Sequence, residues 1–375
     1  MSNVYSGMKW AFGEDTTAFK RCAQRLVALR KSLAEVRSRK SESSFLLATW
    51  NIRDFDSNKF GYGPRLDESI YYIAEILASF DLIAVQEVNR DLTALERVMK
   101  ILGRDWDYIA TDTTEGSGGN GERMVFVYNR TKVWFRKIAG EIVLPDGQLI
   151  VAPDKVKPDS ATIEGKRLQF ARSPFLVAFQ AGWFKFSLCT AHLYYGKESG
   201  PALQRRINEI RGLVKFFADR QDSASKQEKD RLGAVENYIL LGDFNVVSPQ
   251  HETMAALKSE NFTVPAAIDG DKVRKQGAHF YDQIAVRVKD KRFKVRGGGM
   301  VDLFAAVFTD DDADLYAAHM PNKDPETDPK YRADTAAKLY RKWRTWQLSD
   351  HAPLWIEIET DFSDRYLTDL AAKIA

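Results

Sequence analysis

The chain is 375 residues long, with 44% hydrophobic and 29% charged side chains and a formal net charge of +3. That is enough apolar material for a large core and too little for a membrane-embedded protein, and no uninterrupted apolar run reaches the ~18 residues of a spanning helix. So small a net charge excludes the strongly basic, histone-like binders while still permitting a polyanionic partner.

The start, Met1-Ser2-Asn3-Val4-Tyr5, has neither the charged nor the apolar region of a secretory leader. Cys22 and Cys189 are the only cysteines, too few for a disulfide framework, so a reducing, cytoplasmic setting is expected. Phe19, Cys22, Leu26, Leu29, Leu33 and Val36 recur at spacings of three and four, which predicts an amphipathic, basic helix from about Thr17 to Arg39. It is expected to pack against the body, with homodimerisation or nucleic-acid contact as the other readings.

From Phe45 onward, short apolar and β-branched runs alternate with helical patterns. Strands are predicted at Phe45–Trp50, Leu82–Val85, Met124–Tyr128, Phe175–Phe179, Phe184–Ala191, Tyr238–Leu241, Gln283–Val288 and Leu354–Ile358. Helices are predicted at Asp67–Ser79, Leu92–Leu102, Pro201–Arg220, Glu252–Ser259 and Ala333–Trp346. Gly116 to Gly121 reads as a turn and lacks the Lys-Ser/Thr ending of a P-loop. Pro145–Pro174 and Asp219–Glu236 read as polar insertions. The alternation spans the whole body and predicts a layered α/β fold.

The chemistry lies where apolar runs end. Leu240-Leu241-Gly242-Asp243-Phe244-Asn245 brings an acid and an amide to a strand end, and Trp50-Asn51, Gln86-Glu87, Ala191-His192 and Ser349-Asp350-His351 repeat the arrangement. Hydrolysing a phosphate ester needs charge offset on the phosphoryl oxygens, an oriented water and a group to meet the leaving oxygen. Oxygen ligands from Glu87, Asp243 and Asn51 suit a hard divalent ion such as Mg²⁺ or Mn²⁺, and no Cys cluster or His-x-x-x-His helix suggests zinc. Each residue also has a plain reading: Asn51 as a turn residue, Glu87 as a strand-end charge, His192 as a core histidine, Asp243 as an Asx turn. Together, two of the five histidines falling in such endings weigh for one site.

These motifs, in this order from about Phe45 to Ile358, resemble the endonuclease/exonuclease/phosphatase superfamily, and within it the deoxyribonuclease-I-type nucleases. The resemblance implies a four-layered α/β sandwich of two packed mixed β-sheets flanked by helices. It divides the chain into an N-terminal arm (1–44), a catalytic domain (45–362) and a C-terminal tail (363–375). It implies Glu87, Asn51 and Asp350 at the metal, Asp243 orienting the water, Asn245 bonding the phosphate, and His192 and His351 sharing the acid–base work. Glu122 would support His192, Asp282 would support His351, and Arg172 would meet the phosphate; Arg53, a basic residue on a loop beside the motifs, is a further candidate for substrate binding. Met124 departs from the aromatic that those nucleases carry nearby, so their usual minor-groove stacking contact is not expected here.

Tyr281-Asp282-Gln283-Ile284 resembles the DNA nucleases more than the Trp-Cys-Asp pattern of inositol phosphatases, so DNA is the expected partner. A phospholipid or phosphorylated small molecule is the alternative, and a catalytically silent scaffold stands behind both. Arg53, Arg90, Arg123, Lys166, Arg167 and Arg172, with the Tyr340–Trp346 stretch, could line a nucleic-acid groove. The same stretch fits an amphipathic helix packed on the core.

Overall fold

Strand β1 (Ser44–Phe55) is buried along nearly its whole length, so its alternating side chains serve two cores. Phe45 and Leu47 join the cluster that also holds Phe126, Phe179, Phe186 and Leu188. Leu46, Ala48 and Trp50 join a second cluster with Leu29, Ile73, Leu95 and Trp343. The computed structural model describes residues 3–114, 121–154, 165–227, 236–270 and 279–374; the Gly116–Asn120 part of the expected turn lies outside them.

Two sheets meet over the first cluster. The larger has the order β12-β13-β1-β2-β4-β3, with β2 (Leu82–Asn89), β3 (Trp106–Ala110), β4 (Glu122–Asn129), β12 (Val295–Met300) and β13 (Leu354–Glu359) around β1. The smaller runs β11-β10-β9-β8-β5, formed by β5 (Trp134–Glu141), β8 (Phe175–Ala181), β9 (Phe184–His192), β10 (Tyr238–Asp243) and β11 (Asp282–Arg287). A separate ribbon pairs β6 (Ile150–Pro153) with β7 (Gly165–Leu168). Both sheets are mixed: β1–β2 and β9–β10 are parallel, their other pairs antiparallel.

Helices cover the outer faces. Beyond the larger sheet lie α2 (Thr16–Ser32), α4 (Asp67–Leu77), α5 (Thr93–Leu102) and α8 (Ala336–Gln347), reached from the short helices α1 (Met8–Phe12) and α3 (Ala34–Ser38). The smaller sheet is covered by α6 (Gly200–Gln227) and α7 (Glu252–Leu257), and α9 (Ser363–Ile374) closes the chain. This is the expected helix–sheet–sheet–helix sandwich. No helix among the described residues is long and apolar enough to cross a membrane.

Several expectations are corrected. The single helix at Thr17–Arg39 is two, because Leu33 (φ −86°, ψ 0°) leaves helical geometry between α2 and α3. Its stripe packs inward from Cys22 through Leu26, Leu29 and Leu33 to Val36, whereas Phe19, its expected first member, is exposed. Four of the basic residues of these helices are engaged too: Arg21 pairs with Glu68, Arg25 with Asp312, and Arg30 and Arg37 with Glu75. The polar insertions hold β6, β7 and the far end of α6, and 363–374 forms α9. Strands β3, β5 and β12 gave no sequence signal, since β5 is largely exposed and β12 carries three glycines among its six residues.

Candidate active site

The strand pairings gather the polar endings on one edge of the sandwich. Asn51 is level with Gln86 across the parallel β1–β2 pair, and Glu122 opens β4 beside Asn89. In the other sheet Asp243 stands in register with His192 on one side and Asp282 on the other. Leu354 opens β13 opposite Thr49, which brings the preceding Ser349-Asp350-His351 to the same edge.

Local irregularities then aim the side chains. The register of β2 against β4 slips between Val85 and Val88, where Glu87 adopts φ 59°. A bulge with a left-handed, non-glycine residue swings that carboxylate out of the strand's alternation and toward the seam. A second slip in β1, between Asn51 and Phe55, places Asp54 at φ 46° so that its N–H donates to Glu87 Oε2 at 3.0 Å. Gly242 has φ 132°, and a Cβ there would lie 2.1 Å from the Ala191 carbonyl oxygen. Only glycine lets β10 lie that close to β9 and present Asp243 beside His192. Asn245, at φ 53°, closes the turn by donating its N–H to Asp243 Oδ1 at 2.9 Å and its amide to Leu193 O at 2.9 Å.

The resulting geometry centres on Asp243. Its Oδ2 lies 3.8 Å from Nε2 of His192 and 3.8 Å from Nε2 of His351, and it accepts from Asn51 Nδ2 at 3.2 Å. Asn51 Nδ2 also donates to Glu87 Oε1 at 3.0 Å. Each imidazole has an acid behind it: His192 Nδ1 is 3.1 Å from Glu122 Oε1, and His351 Nδ1 is 2.7 Å from Asp282 Oδ2. All three links cross between the sheets, with Asn51, Glu122 and the β13 approach on one side and Asp243, His192 and Asp282 on the other.

Electrostatics follow from this placement. Burial disfavours charge on His192 and His351, yet Glu122 and Asp282 outweigh it, raising the first imidazole and holding the second well above its ordinary value. Burial also opposes ionisation of Glu87, but His192, the Asn51 amide and the Asp54 N–H together pull it down to about 2.

Glu87, Glu122 and His192 offer ligand atoms within 4.8 Å of one another. Glu122 is already engaged, facing His192 and joined by Arg172. Glu87 is partly accessible, with 26% of its side chain exposed, and Asn51 Oδ1 is buried without a hydrogen-bond partner. An ionised carboxylate beside an unsatisfied amide oxygen fits a hard divalent cation.

The remaining expected residues take varied places. Asp350 is 43% exposed and lies 3.4 Å from Arg53 Nη1, while the Arg53 guanidinium sits 3.8 Å over the Trp346 ring. Arg172 turns inward, to Glu122 and to the carbonyl of His192 at 3.3 Å. Within the Tyr340–Trp346 stretch, Tyr340 and Trp343 are core residues rather than groove lining. Unread from sequence were Gln86, which bridges Thr49 and Thr190 behind the site at 3.1 and 2.8 Å, and Arg65, which donates to the carbonyls of Arg53 and Asp54 at 2.5 and 2.8 Å. Gln86 was legible only as part of its motif, and Arg65 gave no signal.

The chain matches no family model and no curated protein sequence. Solved structures do match. The human Nocturnin catalytic domain with bound sulfate anion superposes with a TM-score of 0.51 at 14% identity, over 84% of this chain and 94% of that one. An endonuclease/exonuclease/phosphatase family protein from Bacteroides thetaiotaomicron gives 0.46 at 18% identity, over 85% and 96%. Humanized D. rerio TDP2 gives 0.46 at 13% identity, over 85% and 100%.

Proposed function

For a chain that has the endonuclease/exonuclease/phosphatase fold, we propose the function of a divalent-metal-dependent phosphoesterase whose substrate is a DNA phosphodiester. Fold alone does not carry function. The observation that does is the position of Asp243, 3.8 Å from the inward nitrogen of two imidazoles that are each backed by a carboxylate.

Glu87 and Asn51 would hold Mg²⁺ or Mn²⁺, with Asp350 near the phosphate. Bound there, such an ion supplies positive charge to the phosphoryl oxygens. Asp243, fixed by Asn51 and the Asn245 N–H, orients the attacking water and takes its proton. His192 and His351, kept protonated by Glu122 and Asp282, face the phosphoryl group and leaving oxygen as donors. The Asn245 amide, now on Leu193 O, turns from there to hydrogen-bond the phosphate in the transition state. Arg172 positions Glu122 and His192.

The DNA reading is supported by the Tyr281-Asp282 likeness and by the rim. Tyr281 lies 6.0 Å from His351, stacks on His279 at 4.4 Å and meets the half-exposed Tyr195 at 6.0 Å, while Arg53 stands on the Asp350 side. Aromatic faces and a cation flanking a phosphate suit bases and backbone. Supercoiled plasmid incubated with Mg²⁺ or Mn²⁺ is expected to be nicked by wild type, not with EDTA and not by Asp243→Ala. Phosphate or phosphocholine release without nicking selects the other substrate classes, and unchanged activity in His192→Ala sinks the assignment.

A further inference from the structure

Helix α6 carries a guanidinium that the chemistry above does not use. Arg206 is fully buried, and among the described residues its hydrogen-bond acceptors are main-chain carbonyls alone. Nε donates to Tyr195 O at 3.1 Å, Nη2 to Tyr195 O and to Lys197 O at 2.9 Å, and Nη1 to Asn245 O at 2.9 Å. The plane of the group also lies 4.6 Å over the Tyr195 ring.

Burying a cation against neutral acceptors costs free energy that an apolar side chain would not. What the cost secures is a junction. Tyr195 and Lys197 belong to the loop leaving β9 just after His192, and Asn245 belongs to the loop leaving β10 just after Asp243. Asn245 is left-handed, so its carbonyl points away from the ladder and needs a donor from outside the sheet. One turn further along α6, Glu209 accepts from the N–H groups of Tyr194 at 3.2 Å and Ala171 at 3.4 Å, tying down the residue before Arg172. The helix thus grips the segments after His192 and Asp243 and the segment before Arg172, all from behind.

We propose that Arg206 is a positioning residue for the phosphoesterase site, fixing the Asp243–Asn245 turn relative to His192. The assignment rests on the functional reading above. The planar fork matters, because three carbonyls on two loops are held at once, and a lysine ammonium, a point charge on a flexible stem, cannot reproduce that.

The test compares wild type with Arg206→Lys and Arg206→Ala in the full-length protein with Mn²⁺, using bis(p-nitrophenyl) phosphate. Arg206→Lys is expected to lose kcat on the order of 100-fold, the cost of roughly 1 Å of misplacement, with KM changed less than about twofold. Millimolar guanidinium should return part of the rate to Arg206→Ala. Hydrogen exchange read by mass spectrometry should quicken in 193–197 and 242–247 and stay unchanged in 44–55 and 82–89. Full activity in Arg206→Lys, unchanged exchange in those two segments, quickening throughout the chain, or failure of both variants to fold would each overturn the assignment. A wild type that hydrolyses no phosphate ester would remove the functional reading instead, leaving hydrogen exchange to judge the junction.

Discussion

At Glu87 and the two histidines, burial and charge pull in opposite directions, and charge wins at all three. The pH dependence of the metal-free protein follows. Glu87, lowered from 4.5 to about 2, contributes stability that is present above 4.5 and lost as pH falls toward 2. His192 and His351, raised above 6.5, contribute stability that is full below 6.5 and lost as pH rises through their folded values. Melting temperature against pH should therefore decline at both ends. Asp282→Asn removes the charge behind His351, so the alkaline decline should move to lower pH; a curve unchanged from wild type would contradict the pairing. For the metal itself, the rise in melting temperature on adding Mn²⁺ should vanish in Glu87→Gln and persist in Glu122→Gln, since the first carboxylate is accessible and the second is engaged with Arg172 and His192.

Among elements, the strand ends decide the site. A Gly242→Ala methyl would sit 2.1 Å from the Ala191 carbonyl oxygen at a φ of 132°, so β10 must part from β9. Chemical denaturation should show a loss of about 2 kcal/mol or more, and plasmid nicking should fall with it. Such positions were legible from sequence because the apolar run, the glycine and the acid are adjacent. The partner choices of Gln86, Arg65 and Arg206 were not, because each reaches beyond its own element to carbonyls or hydroxyls that no local pattern marks. The same limit hid β5 and β12, edge elements with no buried face to impose alternation, and blurred α2 and α3 into one helix, since Leu33 continues the apolar spacing through the break.

In the whole molecule the N-terminal helices are part of the outer core. Leu29 is fully buried among residues of β1 and α4, so Leu29→Ala should lower unfolding free energy by about 2–5 kcal/mol while leaving kcat near wild type. An equal loss of turnover by the still-folded variant would give the helix a part in the chemistry. The other whole-molecule feature is that the Asn51–Asp243, Glu122–His192 and Asp282–His351 links all bridge the two sheets, at 3.2, 3.1 and 2.7 Å. Neither layer holds both a histidine and the carboxylate behind its Nδ1, so the proposed turnover would report how the layers are seated on one another. A shear of about 1 Å, small against the size of either core, breaks all three links together. Mild denaturant should therefore silence the proposed phosphoesterase activity in one step, ahead of any fall in far-ultraviolet dichroism.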